Sequence, residues 1–291
     1  MRVLLVSNPS SGSSTREIVD EIAAILGSLG DVQRVEPSLD SFDETLRAAA
    51  RHSSLVVTAG GDGTINQTVN ALADRFDDLR FALVPMGTGN DLARTLDIPM
   101  EPSDAAEAIV EGAERSIDVS AASCAGAERL FVNACMGGFP VEVDEAINPD
   151  LKKRLGPVAF VLGGLKAARD LERSQVRLND RDVTDCIAVG VGNGRTCGGG
   201  IEVWPQADPA DGALDGCALP AANAAAAAHL AAKVKLGSHA EIRGVEFERA
   251  SRIVIDADPP VEFNVDGELI GLKTPATFET VAKLRMMVPS T

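Results

Sequence analysis

The sequence predicts an α/β protein of two domains: a doubly wound, Rossmann-like domain at residues 1–118 and a β-rich, sandwich-like domain at residues 119–280. Strand and helix patterns alternate through the first range, and alternating βα units build parallel sheets. From residue 119 strand patterns become frequent and helical patterns sparse, which is typical of a sandwich. Residues from about 280 to 291 are free to return to the first domain.

The first domain opens with an apolar strand at 3–6 and an amphipathic helix. Apolar residues three and four positions apart lie on one face of a helix, and that spacing predicts which face is buried. The apolar residues of this helix are Ile18, Ile22, Ile25, Leu26 and Leu29. The elements expected next are a strand at 31–36, a helix at 41–51, two strand–turn–helix units, a helix at 103–112 and a strand around Ile117.

The second domain shows short β-type runs separated by turn residues. The strands predicted in this half lie at 129–135, 175–178, 187–192, 213–219, 253–257 and 261–265. Two helices interrupt them, one at 157–171 and one in the alanine tract at 221–235. Alanine is the best helix former, so the tract is interpreted as a structural helix.

The first strand–turn–helix unit lies at 55–71, where Val56, Val57 and Thr58 lead into Gly60-Gly61-Asp62-Gly63-Thr64. Glycines permit the backbone of such a turn to approach a ligand closely. The helix N-terminus that follows presents unpaired N–H groups, which favour phosphate. The turn is neither a Walker A loop nor GxGxxG. From these residues alone, Thr64 as a helix cap and Asp62 as a turn former are equally good interpretations.

A second unit favours the phosphate interpretation. A strand at 81–85 is followed by Gly87-Thr88-Gly89-Asn90-Asp91 and by a helix from Leu92. Two such turns at the carboxyl edge of one sheet lie where open α/β sheets bind ligands, and a nucleotide with several phosphates would fit them. Asn66 and Asn90 could donate to phosphate oxygens or cap helices. Asp91 and Arg94 could pair structurally or act in catalysis.

Two acidic segments in the second domain carry further chemistry. The segment at 208–215 has three carboxylates, Asp208, Asp211 and Asp215, around a glycine. Such oxygen ligands suit a hard cation, and ordinary turn formation is the alternative. The segment at 265–268 follows a strand and contains Asp266-Gly267-Glu268, which on its own is typical of a hairpin turn.

Composition excludes several function classes. The net charge is 27 − 43 = −16. This argues against nucleic acid as a partner, because nucleic acid binds to basic protein surfaces. No apolar run reaches the length of a membrane span, and a soluble, cytoplasmic protein is expected. The histidines (His52, His229 and His239) lie in no recognisable nucleophile motif, which argues against triad hydrolase chemistry.

The two glycine motifs resemble the nucleotide-site signatures of the diacylglycerol kinase catalytic family. The first is 60–64 with Asn66, and the second is Pro85-Met-Gly-Thr-Gly-Asn-Asp-Leu-Ala-Arg94. That family includes sphingosine kinases and soluble bacterial lipid kinases and is related to NAD kinases. Asn8-Pro-Ser-Ser-Gly12 is similar to its N-terminal signature. Further similarity at 131–139, 155–160 and 192–200 extends the resemblance over nearly the whole chain, which implies the NAD kinase/diacylglycerol kinase-like fold.

The resemblance implies an ATP-binding, Mg²⁺-dependent kinase acting on diacylglycerol or a related lipid alcohol at the membrane surface, with transient membrane association. The residues implied in nucleotide binding are Asn8, Ser10, Gly12, Gly60, Gly61, Asp62, Gly63, Thr64, Asn66, Gly87, Thr88 and Asn90. Phosphate loops do not distinguish ATP from GTP, and the oligomeric state is open.

The resemblance also assigns the acidic residues. Asp266 is interpreted as the proton acceptor with Glu268 a close second, and Asp62 engages the active-site metal. A structural Mg²⁺ is implied at Asp211, with backbone oxygens from near Asp208 and Ala213. Two alternatives remain open, an NAD kinase-like phosphotransferase with a polar acceptor and a non-catalytic nucleotide-binding regulatory protein. The absence of GxGxxG argues against an oxidoreductase.

Overall fold

A computed structural model describes residues 1–7, 16–138 and 172–290. The first half contains β1 (Arg2–Ser7), α1 (Arg16–Leu26), β2 (Asp31–Val35), α2 (Phe42–Ala50), β3 (Leu55–Gly60), α3 (Asp62–Ala71), β4 (Arg80–Pro85), α4 (Asp91–Thr95) and α5 (Pro102–Glu111). The second half contains β5 (Ala113–Cys124), β6 (Ala127–Phe131), β7 (Ala134–Gly138), β8 (Ser174–Leu178), β9 (Arg181–Gly192), β10 (Thr196–Cys197), β11 (Ile201–Glu202), β12 (Leu214–Pro220), α6 (Ala224–Lys235), β13 (Glu246–Ala250), β14 (Arg252–Asp258), β15 (Glu262–Val265), β16 (Glu268–Lys273) and β17 (Ala276–Val288).

The first four strands form a parallel sheet in the order β2-β1-β3-β4. Every residue of β3 is buried, as expected for a parallel strand that is covered on both faces. Of the predicted apolar face of α1, Ile22 and Leu26 are buried, and the other three residues pack partly buried against the core; Val19, which was not predicted, is also buried. Helix α1 contacts α5, and α2 contacts α3. This arrangement places the turns after β3 and β4 side by side at the carboxyl edge of the sheet.

Strand β17 joins the two halves of the molecule. It pairs in parallel with β4 at residues 285–286 and antiparallel with β5 along residues 277–288. At its other end it pairs antiparallel with β14. Its Leu284 and Met286 lie in the core of the parallel sheet, whereas Phe278 lies in the core of the β-rich half. One continuous sheet therefore runs through both halves.

The β-rich half is built from antiparallel pairs. Strand β9 pairs with β7, β8 and β12, and β15 pairs with β7 and β16. Its core contains Phe131, Phe263 and Phe278, whose rings pack edge to face at centroid distances of 6.3 and 5.1 Å. Trp204 is fully buried and lies against Gly192, where an added Cβ would come within 2.5 Å of the indole.

Several observed elements differ from the predicted ones. The predicted strand at 129–135 is divided into β6 and β7, because the N–H groups of Val132 and Asn133 leave the strand ladder and bond Asp266. Strand β9 begins six residues earlier than the predicted strand at 187–192. Helix α6 begins after Asn223, whose Oδ1 accepts from the Ala226 N–H at 3.0 Å. Strands β10, β11, β13, β16 and β17 were not predicted. The predicted helix at 157–171 lies outside the described residues.

Within the described part of the chain, no helix combines the length and apolar character needed to cross a bilayer.

Candidate active site

The two glycine turns touch each other through their backbones. A Cβ added at Gly87 would lie 2.5 Å from the Gly61 Cα, a separation that real side chains do not reach. A Cβ at Gly60 would lie 2.7 Å from the Thr64 Cβ. Only glycine therefore permits the close approach at these positions. The two turns form one surface at the N-termini of α3 and α4.

Gly87→Ala is expected to force the two turns apart. The new methyl group would also meet the Asn90 Oδ1 at 2.9 Å, so neither neighbour can move independently. Overpacking of this kind costs about 1–3 kcal/mol of stability. We expect a lower melting temperature and at least about tenfold weaker ATP binding, measured by calorimetry. Gly27→Ala is the matched control, because an added Cβ there meets nothing within 4 Å. An unchanged ATP affinity in Gly87→Ala would contradict the expectation that ATP binds at the surface formed by the two turns.

Asn90 braces the second turn from inside. It adopts a left-handed conformation with φ 53°, which asparagine tolerates better than most residues. Its Oδ1 accepts from the Gly87 N–H and its Nδ2 donates to the Gly87 carbonyl, both at 2.9 Å. The amide of Asn90 therefore holds the turn, and its contact with phosphate stays a prediction. Thr88 is exposed at the tip of the same turn.

Asp62 is the first residue of α3 and lies between the two turns. Its Oδ1 accepts from the Leu92 N–H at the start of α4, at 3.2 Å. Burial, followed by the nearby charge of Asp91, raises the pKa of Asp62 from 3.8 to about 6. A carboxylate destabilised in this way gains from a nearby cation. The residue therefore fits a divalent ion that keeps much of its water shell, as Mg²⁺ does.

In protein free of divalent cations, Asp62→Asn is expected to be more stable than the parent at neutral pH. Because the pKa of Asp62 is raised to about 6, the contribution of this group to stability is fully present below pH about 4 and is lost as pH rises through about 6. The asparagine oxygen can still accept from Leu92. Urea denaturation with EDTA between pH about 4 and 8 should show the two proteins diverging as pH rises. Asp74→Asn, at an exposed aspartate, is the control substitution. A constant difference would contradict the pKa shift.

Asp91 links the second glycine turn to the other half of the molecule. Its carboxylate accepts from the N–H groups of Gly199 and Gly200 at 2.9 and 2.7 Å, and its carbonyl accepts from the Thr196 hydroxyl at 3.1 Å. Gly199 and Gly200 have φ of 89° and 97°, which brings their N–H groups to the same carboxylate. The observed partner of Asp91 is therefore the loop before β11.

Asp266 is buried in a nest of donors. Its Oδ1 accepts from the N–H groups of Asn133 and Ala134 at 3.0 and 2.8 Å. Its Oδ2 accepts from the Val132 N–H at 2.9 Å and from the Asn66 Nδ2 at 3.0 Å. Burial raises the pKa of Asp266, and these hydrogen bonds oppose that effect. All four favoured acceptor directions are occupied, so this carboxylate holds the turn between β15 and β16.

Asn66 connects this turn to α3. Its Nδ2 also donates to the Leu130 carbonyl at 2.8 Å, and its Oδ1 accepts from the Arg129 Nε at 2.9 Å. The side chain is fully buried. Its amide therefore joins the two halves of the chain, which differs from the predicted contact with phosphate.

Glu268 is the more accessible carboxylate of the same turn. Its Oε1 accepts from the Gln67 Nε2 at 2.8 Å, and its Oε2 lies 3.3 Å from the Arg129 Nη2. The side chain is 28% exposed. A Cβ added at Gly63 would come within 2.9 Å of its Oε1, so Glu268 faces the N-terminal turn of α3. Of the two carboxylates, Asp266 is buried and Glu268 is partly exposed.

The turn before β12 contains the predicted metal residues. The Asp211 carboxylate pairs with Arg249 and accepts from the Ala213 N–H, and the Asp208 carboxylate pairs with Arg115. Within the described ranges, no group of three His, Cys, Asp or Glu side chains is arranged to hold a metal. Because the carboxylates already bond arginines, the donor set as arranged does not fit a divalent cation. The structural Mg²⁺ stays a prediction from the resemblance.

The predicted nucleotide residues Asn8, Ser10 and Gly12 lie outside the described residues, as do the similar segment at 155–160 and Phe139. Three features of the site were not predicted from the sequence: Gln67 and Arg129 beside Glu268, and the Gly199–Gly200 nest around Asp91. The glycine run at 198–200 was the one available signal for the nest.

Residues 2–122 match the diacylglycerol kinase catalytic domain, and residues 133–288 match the "YegS C-terminal NAD kinase beta sandwich-like domain". A "Probable lipid kinase YegS-like" protein of Stenotrophomonas maltophilia strain K279a is 33% identical over 81% of this chain and 79% of its own length. One of the same description from Xanthomonas oryzae pv. oryzae strain MAFF 311018 is 31% identical over 99% of this chain and 96% of its own.

Solved structures match the fold. A crystal structure described as "a putative diacylglycerol kinase from Bacillus anthracis str. Sterne" superposes with a TM-score of 0.80 at 25% identity, covering 99% of this chain and 95% of that one. Another diacylglycerol kinase structure from the same strain has a TM-score of 0.76 at 24% identity, covering 99% and 96%. These comparisons confirm the predicted fold class, an α/β domain followed by a sandwich-like one.

Proposed function

This chain belongs to the diacylglycerol kinase catalytic family of lipid kinases, and from that premise we propose that it phosphorylates diacylglycerol or a related lipid alcohol with ATP and Mg²⁺. The observation that carries the proposal is the position of Glu268. This partly exposed carboxylate faces the N-terminal turn of α3, where the two glycine turns meet. An acceptor hydroxyl at Glu268 would therefore lie next to bound phosphates.

The nucleotide phosphates bind at the joined glycine turns. Helix α3 directs its N-terminal N–H groups there, and Gly61 and Gly87 leave the backbone open to a ligand. Asp62 is the residue that would hold Mg²⁺, and the ion would neutralise phosphate charge. The residues 8–12 are proposed as a further part of the nucleotide site, on the resemblance alone.

Glu268 is proposed as the general base in place of Asp266. The acceptor oxygen attacks the γ-phosphorus and forms the new O–P bond while its proton passes to the Glu268 carboxylate. The bond between the γ-phosphorus and the bridging oxygen breaks, and ADP leaves with that electron pair. Gln67 and Arg129 orient the carboxylate through their hydrogen bonds at 2.8 and 3.3 Å. Asp266 supports the reaction indirectly by fixing the turn that carries Glu268.

The charge around Glu268 also suits this role. Arg129 donates to both Asn66 and Glu268, so one guanidinium ties the proposed base to the buried network of Asp266. A lone carboxylate near phosphates would be repelled, and Arg129 offsets part of that repulsion. We further propose that the protein works in the cytoplasm and associates with membranes only transiently, since its substrate is a lipid.

The experiment is a transfer assay with radiolabelled ATP. The purified protein is offered dioleoylglycerol in mixed micelles, a total lipid extract, NAD⁺, or no acceptor, with Mg²⁺ or with EDTA. GTP replaces ATP in a parallel series. We expect labelled phosphatidic acid from dioleoylglycerol with Mg²⁺ only. Label on NAD⁺ would favour the NAD kinase-like alternative. ATP binding without label on NAD⁺ or on any lipid of a total extract would favour a non-catalytic regulator.

A further inference from the structure

Two aliphatic side chains stand exposed immediately after the proposed base. Leu269 and Ile270 follow Glu268 on β16, and each is 41% exposed. The large hydrophobic residues exposed in the described part of the chain are Met1, Met100, Ile201, Leu236, Leu269, Ile270 and Val281. Among these, Leu269 and Ile270 form the one pair of sequence neighbours. They are named here the apolar tip.

The apolar tip is formed by an irregular pairing of β15 with β16. Val265 pairs with Glu268 and Asn264 with Leu269, but Phe263 pairs with Leu272. Ile270 and Gly271 are therefore left without ladder partners, and Gly271 has φ 76°. A bulge of this kind re-aims side chains and is common beside active sites. Strand β16 also lies at the edge of its sheet, where proteins usually place charges.

We propose that the apolar tip contacts the acyl chains of the lipid acceptor. This inference rests on the proposed function, because it requires that the acceptor hydroxyl lies at Glu268. The N-terminal turn of α3 closes one side of Glu268 at Gly63. Leu269 and Ile270 are the next two residues of β16, so their backbone lies within about 7 Å of the backbone of Glu268. That is the distance at which the chains of a glycerolipid begin.

The charge of the protein makes an apolar contact more important. A net charge of −16 disfavours approach to anionic lipid surfaces, so charge attraction does not bring the acceptor in. Burial of aliphatic surface does not depend on that charge. The acyl chains are therefore recognised by their apolar character.

The test compares Leu269→Ser/Ile270→Ser with the parent in steady-state kinetics. The acceptors are dioleoylglycerol in mixed micelles and water-soluble dibutyrylglycerol. The double variant should raise the KM for dioleoylglycerol at least about tenfold, which corresponds to about 1.4 kcal/mol. Its kcat/KM for dibutyrylglycerol and its KM for ATP should stay within about threefold, because the hydroxyl and phosphate sites are untouched. Val281→Ser is the matched control, because Val281 is an exposed aliphatic residue on β17.

Three outcomes would overturn the proposal. An unchanged KM for dioleoylglycerol in a variant that melts like the parent is the first. An equal loss with both acceptors is the second, since it would mean that the variant damages the site itself. The third concerns sedimentation with phosphatidylcholine vesicles that contain no acceptor. If the double variant binds these vesicles less well than the parent, by the same factor by which its KM for dioleoylglycerol rises, the tip is a general bilayer contact. If the double variant does not fold, the single variant Ile270→Ser, at the bulge residue without a ladder partner, replaces it in the same test. A parent that phosphorylates no lipid would refute the proposed function instead.

Discussion

Glu268→Gln is expected to reduce lipid phosphorylation by about two to four orders of magnitude while ATP affinity stays within a few-fold of the parent. The substitution keeps the shape of the side chain and removes its ability to take a proton. Gln67 and Arg129 hold the Glu268 side chain, and Arg129 already offsets part of its repulsion of phosphate, so the loss of the charge should change ATP affinity only by a few-fold. Single-turnover kinetics and calorimetric ATP titration measure the two effects separately.

Glu262→Gln is the matched control for this prediction. Glu262 lies on β15 of the same hairpin and pairs with Lys273 at 3.1 Å, away from the glycine turns. Its substitution should leave turnover within about twofold of the parent, as expected for a solvent-accessible ion pair. Near-normal turnover in Glu268→Gln would refute the assignment of the base.

Asp266→Asn is expected to lower the free energy of unfolding by about 2–4 kcal/mol. An asparagine amide places an NH₂ group where two donors now bond a carboxylate oxygen, so those buried donors lose their acceptor. The affected pair is Val132 with Asn66 or Asn133 with Ala134, depending on the orientation of the amide. Removal of the buried charge offsets part of this loss, since burial raises the pKa of Asp266.

Urea denaturation at pH 7.5 measures the change, and Asp256→Asn on the exposed face of β14 serves as the control. Turnover should fall together with stability, because the turn that carries Glu268 loosens. Parental stability combined with a complete loss of turnover would return the role of base to Asp266. The two substitutions therefore separate the chemical role of Glu268 from the structural role of Asp266.

The elements of the fold that local pattern determines could be predicted from the sequence. The apolar face of α1 and the buried run of β3 follow from spacing and composition within a few residues. The pairing of β17 with β4 could not be predicted, because its register depends on contacts between residues about 200 positions apart in sequence. The break between β6 and β7 has the same origin, since Asp266 causes it from the far end of the chain.

The candidate site divides in the same way. The glycine turns are recognisable because close backbone approach requires glycine at Gly61 and Gly87. The choice between Asp266 and Glu268 is not encoded locally, since both flank one glycine in one turn. What distinguishes them is which groups each carboxylate faces, three backbone N–H groups for Asp266 and the accessible pair of Gln67 and Arg129 for Glu268. Those partners come from distant segments.

The position of β17 in the sequence determines when the sheet can be completed during synthesis on the ribosome. Strand β4 is made early, but its outer neighbour is residues 285–286 of β17, made roughly 200 residues later. At about 5–20 residues per second, the edge of β4 waits some 10 to 40 seconds for that partner. An open edge strand can pair with other chains during this time. The first half of the chain therefore keeps this edge of β4 unpaired until translation reaches β17.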